Sequence, residues 1–278
     1  MSRSMILALV VAGGMMSAVR AGAGENPLAA VKWQQGPSTG ELGSVAEIQV
    51  PAGHVFAGGG DTRIIMEAMQ NPTDGTELGM IGPVSLDWFA VFEYDACGYV
   101  RDDEKDKLDA DAMLQSIRTG TEASNRERSK RGWPTMSIVG WEQKPCYNAA
   151  THNLEWAIRG QSEGHFVVNH NTRLLGRGGV MRVTLVADPA ALGGALPRFQ
   201  DVLAGFVFKT GQKYAEYRQG DKMAKYGLAA LVVGGATAAA VKTGLFKWLW
   251  KLIVVAVIGA GAVVRRLFGG KKPPEVQP

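Results

Sequence analysis

Apolar and polar residues alternate through much of the middle of this chain. The segments 88–94 (WFAVFEY), 154–160 (LEWAIRG), 165–171 (HFVVNHN) and 180–187 (VMRVTLVA) carry the period-two pattern of half-buried strands. In 154–160 the pattern puts Leu154, Trp156 and Ile158 on one face and Glu155 and Arg159 on the other. Short links between successive strands predict antiparallel pairing, with Asn169, Asn171 and the glycines of 176–179 supplying turns. Helical spacing is rarer. Asp61 reads as the N-cap of a helix over 62–70 that ends at Asn71-Pro72. A second helix, over 109–131, carries Met113, Leu114 and Ile117 at helical spacing before a polar, basic second half, and Asp188-Pro189 opens a third over 190–203. The expected class is α+β: an antiparallel sheet with flanking helices on one side, plus a C-terminal transmembrane helix or helical hairpin.

At both ends the alternation gives way to continuous apolar runs. Arg3, an apolar stretch over 5–16 and the small residues Val19 and Ala21 make a signal peptide, cleaved after Ala21 or Ala23. An uncleaved N-terminal anchor is the alternative. Near the other end, 227–241 and 252–264 are apolar. As helices each spans only about 20 Å of the roughly 30 Å hydrocarbon core. Starting the second at Gly244 lengthens it enough to cross, with Lys247 and Lys251 snorkelling and Trp248 and Trp250 in the interfacial belt. A single span puts Arg265 and Arg266 on the cytoplasmic side, as the positive-inside bias prefers, whereas a hairpin returns them to the outside. The small residues of 227–241 permit close helix approach in a membrane, and the same stretch also reads as a buried soluble helix. The expected organisation is therefore a signal peptide (1–21), an extracytoplasmic domain (22–221), a membrane-associated segment (222–264) and a basic, Pro-containing tail (265–278).

Charge follows these divisions. Residues 22–221 hold 19 Lys and Arg against 25 Asp and Glu, a net of −6, whereas 222–278 hold 9 against one, a net of +8. The basic pI of the whole chain thus comes from its ends. An acidic body repels polyphosphate, which argues against nucleic acid as a partner, and cations beside apolar helices suit anionic lipid headgroups.

Several short motifs recur in a fixed order: DTRIIMEAMQNP at 61–72, LGMIGP at 78–83, GYVRDDE at 98–104, NRERSKRGW at 125–133, VGWEQKPCYN at 139–148, LEWA at 154–157, VNHNTRLLGRGGVM at 168–181 and FKTGQKYAEYRQGDKMAKYGLAALVVGG at 208–235. Together they resemble a family of bacterial membrane-anchored proteins known as domain of unknown function 2167, over most of 45–240. The resemblance implies an exported domain with a C-terminal membrane segment. It brings no activity and no catalytic residues, and it predicts no particular need for the thiol at Cys146.

The remaining candidate chemistry is sparse. Cys97 and Cys146 are the only cysteines. In an oxidising compartment two thiols often pair, and a bridge closing about 50 residues adds roughly 3–4 kcal/mol; two lone thiols are the alternative. His165 and His170, five apart on a strand, project to opposite faces and cannot share a metal. The acidic stretch from Asp102 to Asp111 lacks the spacing of a Ca²⁺ loop and reads as a solvated turn with Asp109 as helix N-cap. Gly58-Gly59-Gly60-Asp61 lacks the Lys-Ser/Thr of a phosphate loop. Arg173 and Arg177, with Arg126, Arg128 and Arg131, form a candidate anion or partner surface, against a hairpin whose arginines pair with carboxylates. The 214–226 segment, rich in Tyr and Lys, reads as the interfacial start of the membrane helix, with Asp221 near its N-terminus.

No pattern calls for a cofactor or a metal. The expectation is a non-catalytic binding or assembly module in the bacterial inner membrane, its main domain periplasmic. Its partners would be the bilayer and either a membrane protein or a second copy. An envelope hydrolase would gather Asp102, Asp103, His152, His170, Arg173 and Arg177 around a deep pocket. A small-molecule sensor would have an apolar pocket between sheet and helix.

Overall fold

The computed structural model describes residues 27–233 apart from Pro72 and Lys107. After a 3-10 turn, Pro27–Ala30, come β1 (Trp33–Gln35), β2 (Ser38–Leu42), β3 (Ala46–Val50), β4 (His54–Gly58), α1 (Gly59–Ala68), β5 (Glu77–Pro83), β6 (Trp88–Asp95) and α2 (Ala110–Lys130). Next are β7 (Ser137–Asn148), β8 (Asn153–Ser162), β9 (His165–Leu175), β10 (Val180–Ala187), α3 (Leu192–Leu203), β11 (Phe206–Phe208) and α4 (Leu228–Val233). Eight strands form one sheet in the order β1-β4-β5-β6-β10-β9-β8-β7, and β11-β3-β2 form a second. Every strand pair is antiparallel. The fold is α+β, built on a large antiparallel sheet.

Side-chain alternation sorts this sheet into two faces. Phe89 and Val91, Val180 and Val186, and Leu154, Trp156 and Ile158 point to one face, where they pack with Met113 and Ile117 of α2, Ile65 and Met66 of α1 and Leu228, Leu231 and Val232 of α4. Trp88, Ala90, Phe92, Met181, Val183 and Leu185 point to the other, under Leu42, Ile48 and Val50 of the small sheet and Ala195, Phe199 and Val202 of α3. Helices therefore cover both faces rather than one, because α3 crosses to the side of the small sheet.

The four strands read from alternation are all present. Their ends differ in one respect: Asn169 and Asn171 lie buried inside β9, which runs on to Leu175. The Asn171 side chain is held within the sheet, its Nδ2 donating to the Asn169 carbonyl and its Oδ1 accepting from Thr184 and Arg173. Asp109 caps α2 as expected, accepting from the amides of Asp111 and Ala112. Asp61 does not cap α1. The helix begins two residues earlier, at Gly59, where a side chain would collide with the Glu77 carbonyl. Asp61 lies in the first turn instead and accepts from the Lys32 amide.

Among the described residues no helix is long and apolar enough to cross a membrane. The signal peptide, the second apolar run with Lys247, Trp248, Trp250 and Lys251, and the tail with Arg265 and Arg266 fall outside the described residues. The start of the first apolar run is described. As α4, its Leu228, Ala230, Leu231 and Val232 are buried in the domain, and the rest of that run falls outside the described residues.

Candidate functional site

The 101–104 loop, the end of β7 and the 212–227 segment meet at one end of the domain, and the last of these has a geometry its composition does not announce. Instead of starting an interfacial helix, it is a strap laid along the domain. A single 3-10 turn, Tyr214–Glu216, is its only regular element among the described residues. The Arg177 guanidinium grips Asp221 with two bonds, Nε and Nη2 each donating at 2.7 Å. This pairing holds the Asp221 carboxyl at about 2, below its ordinary value of 3.8. The Tyr99 amide donates to the Lys222 carbonyl, and the Ala224 amide to the Tyr99 carbonyl. Lys222 Nζ donates to the Ala96 carbonyl, and the Tyr226 hydroxyl to Asp95 at 2.6 Å. At Gly98, with φ of 104°, a Cβ would press on the strap backbone at Lys222, so the loop can lie this close only as glycine.

Aromatic rings lock the same contact. Tyr99 stacks between Tyr214 and Tyr217, 4.4 Å from each, and His152 lies 4.4 Å from Tyr214. At the His152 end the Tyr147 hydroxyl donates to Asp102 at 2.9 Å and lies 3.2 Å from His152 Nδ1. Burial, then the Asp102 carboxylate, raises the Tyr147 pKa. The Asp102 and His152 side chains are about a third exposed and 3.8 Å apart. His152 adopts φ of 54°, an uncommon left-handed conformation for a residue with a side chain.

Next to this column a cleft of about 320 Å3 opens between the loop and the strap. Arg101, Asp103 and Glu104 line one wall, and Met223, Lys225 and Tyr226 the other. A Cβ on Gly227 would strike the Glu104 carboxylate, so the glycine leaves that acid room at the root of α4.

A second constellation is buried between the sheet and its helices. Register places Glu77 opposite Glu93, Glu93 opposite Arg182, and Arg182 opposite Arg173, a row of two acids and two bases across β5, β6, β10 and β9. All four are buried. Arg182 Nη2 donates to Glu93 and to the Thr76 hydroxyl, and Glu77 accepts from the amides of Asp74 and Gly75. Arg173 lies 4.5 Å over the Trp156 ring and donates to the Thr172 carbonyl and to Asn171 Oδ1. Burial, with Arg182 adding to it, pushes Arg173 down to about 9, still charged at neutral pH. Asp74, Glu77 and Glu93 bring their carboxylate oxygens within 4.8 Å of one another, the only such acid group with metal-ligand spacing among the described residues. These carboxylates accept from the backbone amides of Asp74, Gly75 and Thr76, from the Thr76 hydroxyl and from Arg182.

The five arginines read as one surface are dispersed. Arg126 is exposed on α2. Arg128 is buried, bonding the carbonyls of Pro134 and Gln70. Arg131 packs over Trp133 and pairs with Glu127. Arg173 is in the core and Arg177 is committed to Asp221. Arginines spaced for one helix face or one hairpin are instead drawn to separate acceptors. Cys97 and Cys146 are unpaired. Cys97 is half-buried, donates to the Gly98 carbonyl and is pushed up to about 11 by burial, an unreactive thiol; Cys146 is exposed on β7. Of the six hydrolase candidates, Asp102, Asp103 and His152 come to one end of the domain and Arg177 is bound to the strap that meets them there, whereas Arg173 is in the core and His170 lies on the opposite sheet face against Phe199. The strap clasp, the Tyr column and the charge row were not anticipated. The three Tyr residues of the strap and its single Asp221 were the available signal for the first two.

Three solved structures share a coarse likeness. The solution structure of cyanobacterial PsbP (CyanoP) from Synechocystis sp. PCC 6803 is 9% identical, covering 68% of this chain and 98% of that one at a TM-score of 0.37. The Saccharomyces cerevisiae Ran-binding protein Mog1p is 8% identical over 68% and 98%, with a TM-score of 0.32. A Pseudomonas aeruginosa protein of unknown function, PA94, described as a putative regulator, is 17% identical over 48% and 74%, with a TM-score of 0.23. Scores this low carry no argument. No curated protein matches. The family model described as protein of unknown function DUF2167 matches residues 34–264, in agreement with the motif order, and the chain belongs to that family.

Proposed function

We propose that this protein is a membrane-tethered envelope protein whose acidic domain acts as a binding or assembly module at the bilayer surface. One observation supports this above the others. The strap that precedes the long apolar region is clasped to the domain by Arg177–Asp221, Tyr226–Asp95 and the Tyr99 stack. A loose linker would let the domain wander. A clasped one holds the domain in a fixed orientation to whatever the apolar region enters, with the cleft and Tyr column beside the attachment point. The signal-like N-terminus and the cationic, Trp-flanked C-terminal run point to the periplasmic side of the inner membrane.

The test is alkaline carbonate washing of membranes from cells making the full chain, paired with protease added to spheroplasts. The protein stays in the pellet and its domain is cleaved from outside. Carbonate release of intact chain, or a protected domain, overturns the reading. Crosslinking in intact membranes then separates self-assembly from a complex with another protein.

The Asp102–Tyr147–His152 trio favours a second reading, hydrolysis of envelope material. A carboxylate and a hydroxyl beside one imidazole nitrogen resemble the arrangement that orients a general base. His152→Gln abolishes turnover on that reading and leaves membrane retention intact.

A further inference from the structure

Around the cleft beside the tether root stand two cations, Arg101 and Lys225, and two carboxylates, Asp103 and Glu104. They carry both signs into one small space, yet among the described residues none of the four is in an ion pair. All four side chains are exposed, and elsewhere in this domain opposite charges on partly exposed side chains pair, as at Arg159–Glu142 and Lys209–Glu41. Here they are held apart. The loop and the strap are each fixed by backbone bonds at Tyr99, and Gly227 seats the Glu104 carboxylate against the start of α4.

We propose that this cleft binds the zwitterionic phosphoethanolamine headgroup of a bilayer lipid. A cleft with two positive and two negative side chains is poorly matched to a purely anionic ligand, which meets the two acids, and to a purely cationic one, which meets the two bases. A ligand carrying both a phosphate and a primary ammonium satisfies all four with charge-assisted bonds: phosphate oxygens accept from Arg101 and Lys225, and the ammonium donates to Asp103 and Glu104. Met223 and Ala224 provide apolar wall for the methylene groups between the charges. The Tyr226 hydroxyl is already committed to Asp95, so its ring offers a surface rather than a bond. The choice of a lipid over a free metabolite rests on the tethered reading above: the cleft ends at Gly227, and one short helix of about 9 Å separates it from the rest of the apolar run.

The full-length protein, purified from membranes in mild detergent, is tested in two arms. Native mass spectrometry reads which lipids it retains from a mixture of phosphatidylethanolamine and phosphatidylglycerol. Calorimetric titration reads binding of two soluble probes, glycerophosphoethanolamine and glycerophosphoglycerol. Wild type retains the ethanolamine lipid preferentially and binds its soluble headgroup about tenfold more tightly than the glycerol analogue. Arg101→Gln with Lys225→Gln weakens both ligands, whereas Asp103→Asn with Glu104→Gln erases the preference between them; unchanged melting temperatures show that each double variant is folded. Equal retention of the two lipids overturns the proposal, as does indifference of binding to either double variant. Soluble headgroup binding without lipid retention overturns the bilayer as source. Carbonate release with headgroup binding intact would fault the tether alone, and resistance to carbonate without headgroup binding would fault the cleft alone.

Discussion

On one face of the large sheet, β5, β6, β10 and β9 bury two carboxylates and two guanidinium groups in a single row. On the other face, β6, β9 and β10 bury Trp88, Phe92, Val183 and Leu185, together with one imidazole, His170. Both environments exclude water, and they treat charge in opposite ways. In the row Arg182 bonds Glu93 directly and through Thr76, Glu77 accepts from backbone amides, and the charges of Glu93 and Asp95 offset part of the burial of Arg173. Among the described residues no charged group acts on His170. Its ring meets Phe199 at 6.2 Å, and burial drives it to the neutral form. The difference shows that counter-charge, more than depth, decides what the core tolerates.

Removing one member of the row should have the largest effect. Arg182→Ala leaves Glu93 buried without its cation, the two side chains being 10% exposed each. The expected cost is about 3–5 kcal/mol, read from urea unfolding. The double variant Arg182→Met, Glu93→Met should recover much of that loss, because a well-packed apolar pair avoids desolvating either charge. A single-variant loss below about 1 kcal/mol would mean the row is no more than an exposed ion pair.

His170 provides a pH readout of the opposite face. Burial lowers its pKa from 6.5 to about 4. Between those values the unfolded chain binds a proton that the folded one refuses. Stability is therefore full above pH 6.5, declines as pH falls through the window and levels off below 4, a loss of roughly 3 kcal/mol. His170→Leu should remove that share of the slope. The difference between wild type and variant is the quantity to measure, because carboxylates titrate near the lower limit. Parallel slopes for the two proteins would mean that the imidazole is reached by water.

Much of this sheet was readable in advance. The alternation in 154–160 put Leu154, Trp156 and Ile158 on one face, and they lie together there. In β9, Asn169 and Asn171 looked like turn chemistry because polarity was weighed without knowing what lay across the strand. Asn171 bonds within its own strand and accepts from Thr184 of β10, and that partner is set by register. The charge row was hidden for the same reason. Glu77, Glu93, Arg173 and Arg182 are far apart in sequence and become neighbours only once strand order is known. The strands β1 to β4 are only three to five residues long and β5 is interrupted by Gly79 and Gly82, so they give little periodicity, and β7 carries three register shifts that break its alternation. For the site, individual residues such as Asp102 and His152 could be singled out. The strap that encloses them was read from its Tyr and Lys composition as membrane-facing, whereas its carboxylate and tyrosines bond inward.

The comparison sharpens when the same charge types are followed outward from the row. At Arg177–Asp221 the side chains are about a fifth exposed and the geometry is bidentate. Because the Asp221 carboxyl is lowered from 3.8 to about 2, its contribution is complete above pH 3.8 and is lost only as pH falls toward 2. Amide protection over 212–227, taken against the intrinsic exchange rate at each pH, should therefore hold at pH 5 and fall between pH 4 and 2, and Arg177→Ala should speed exchange several-fold at neutral pH while barely moving global unfolding. Equal exchange in the variant would show that the Tyr99 stack alone holds the strap. Glu127 stands outermost, 45% exposed and paired along α2 with Lys130 and Arg131. Glu127→Gln should change stability by less than about 0.5 kcal/mol, and less again in high salt. Were it to rival Arg182→Ala, surrounding water and ions would be screening nothing, and the contrast between a charge held in the core and one left at the surface would fail at its base.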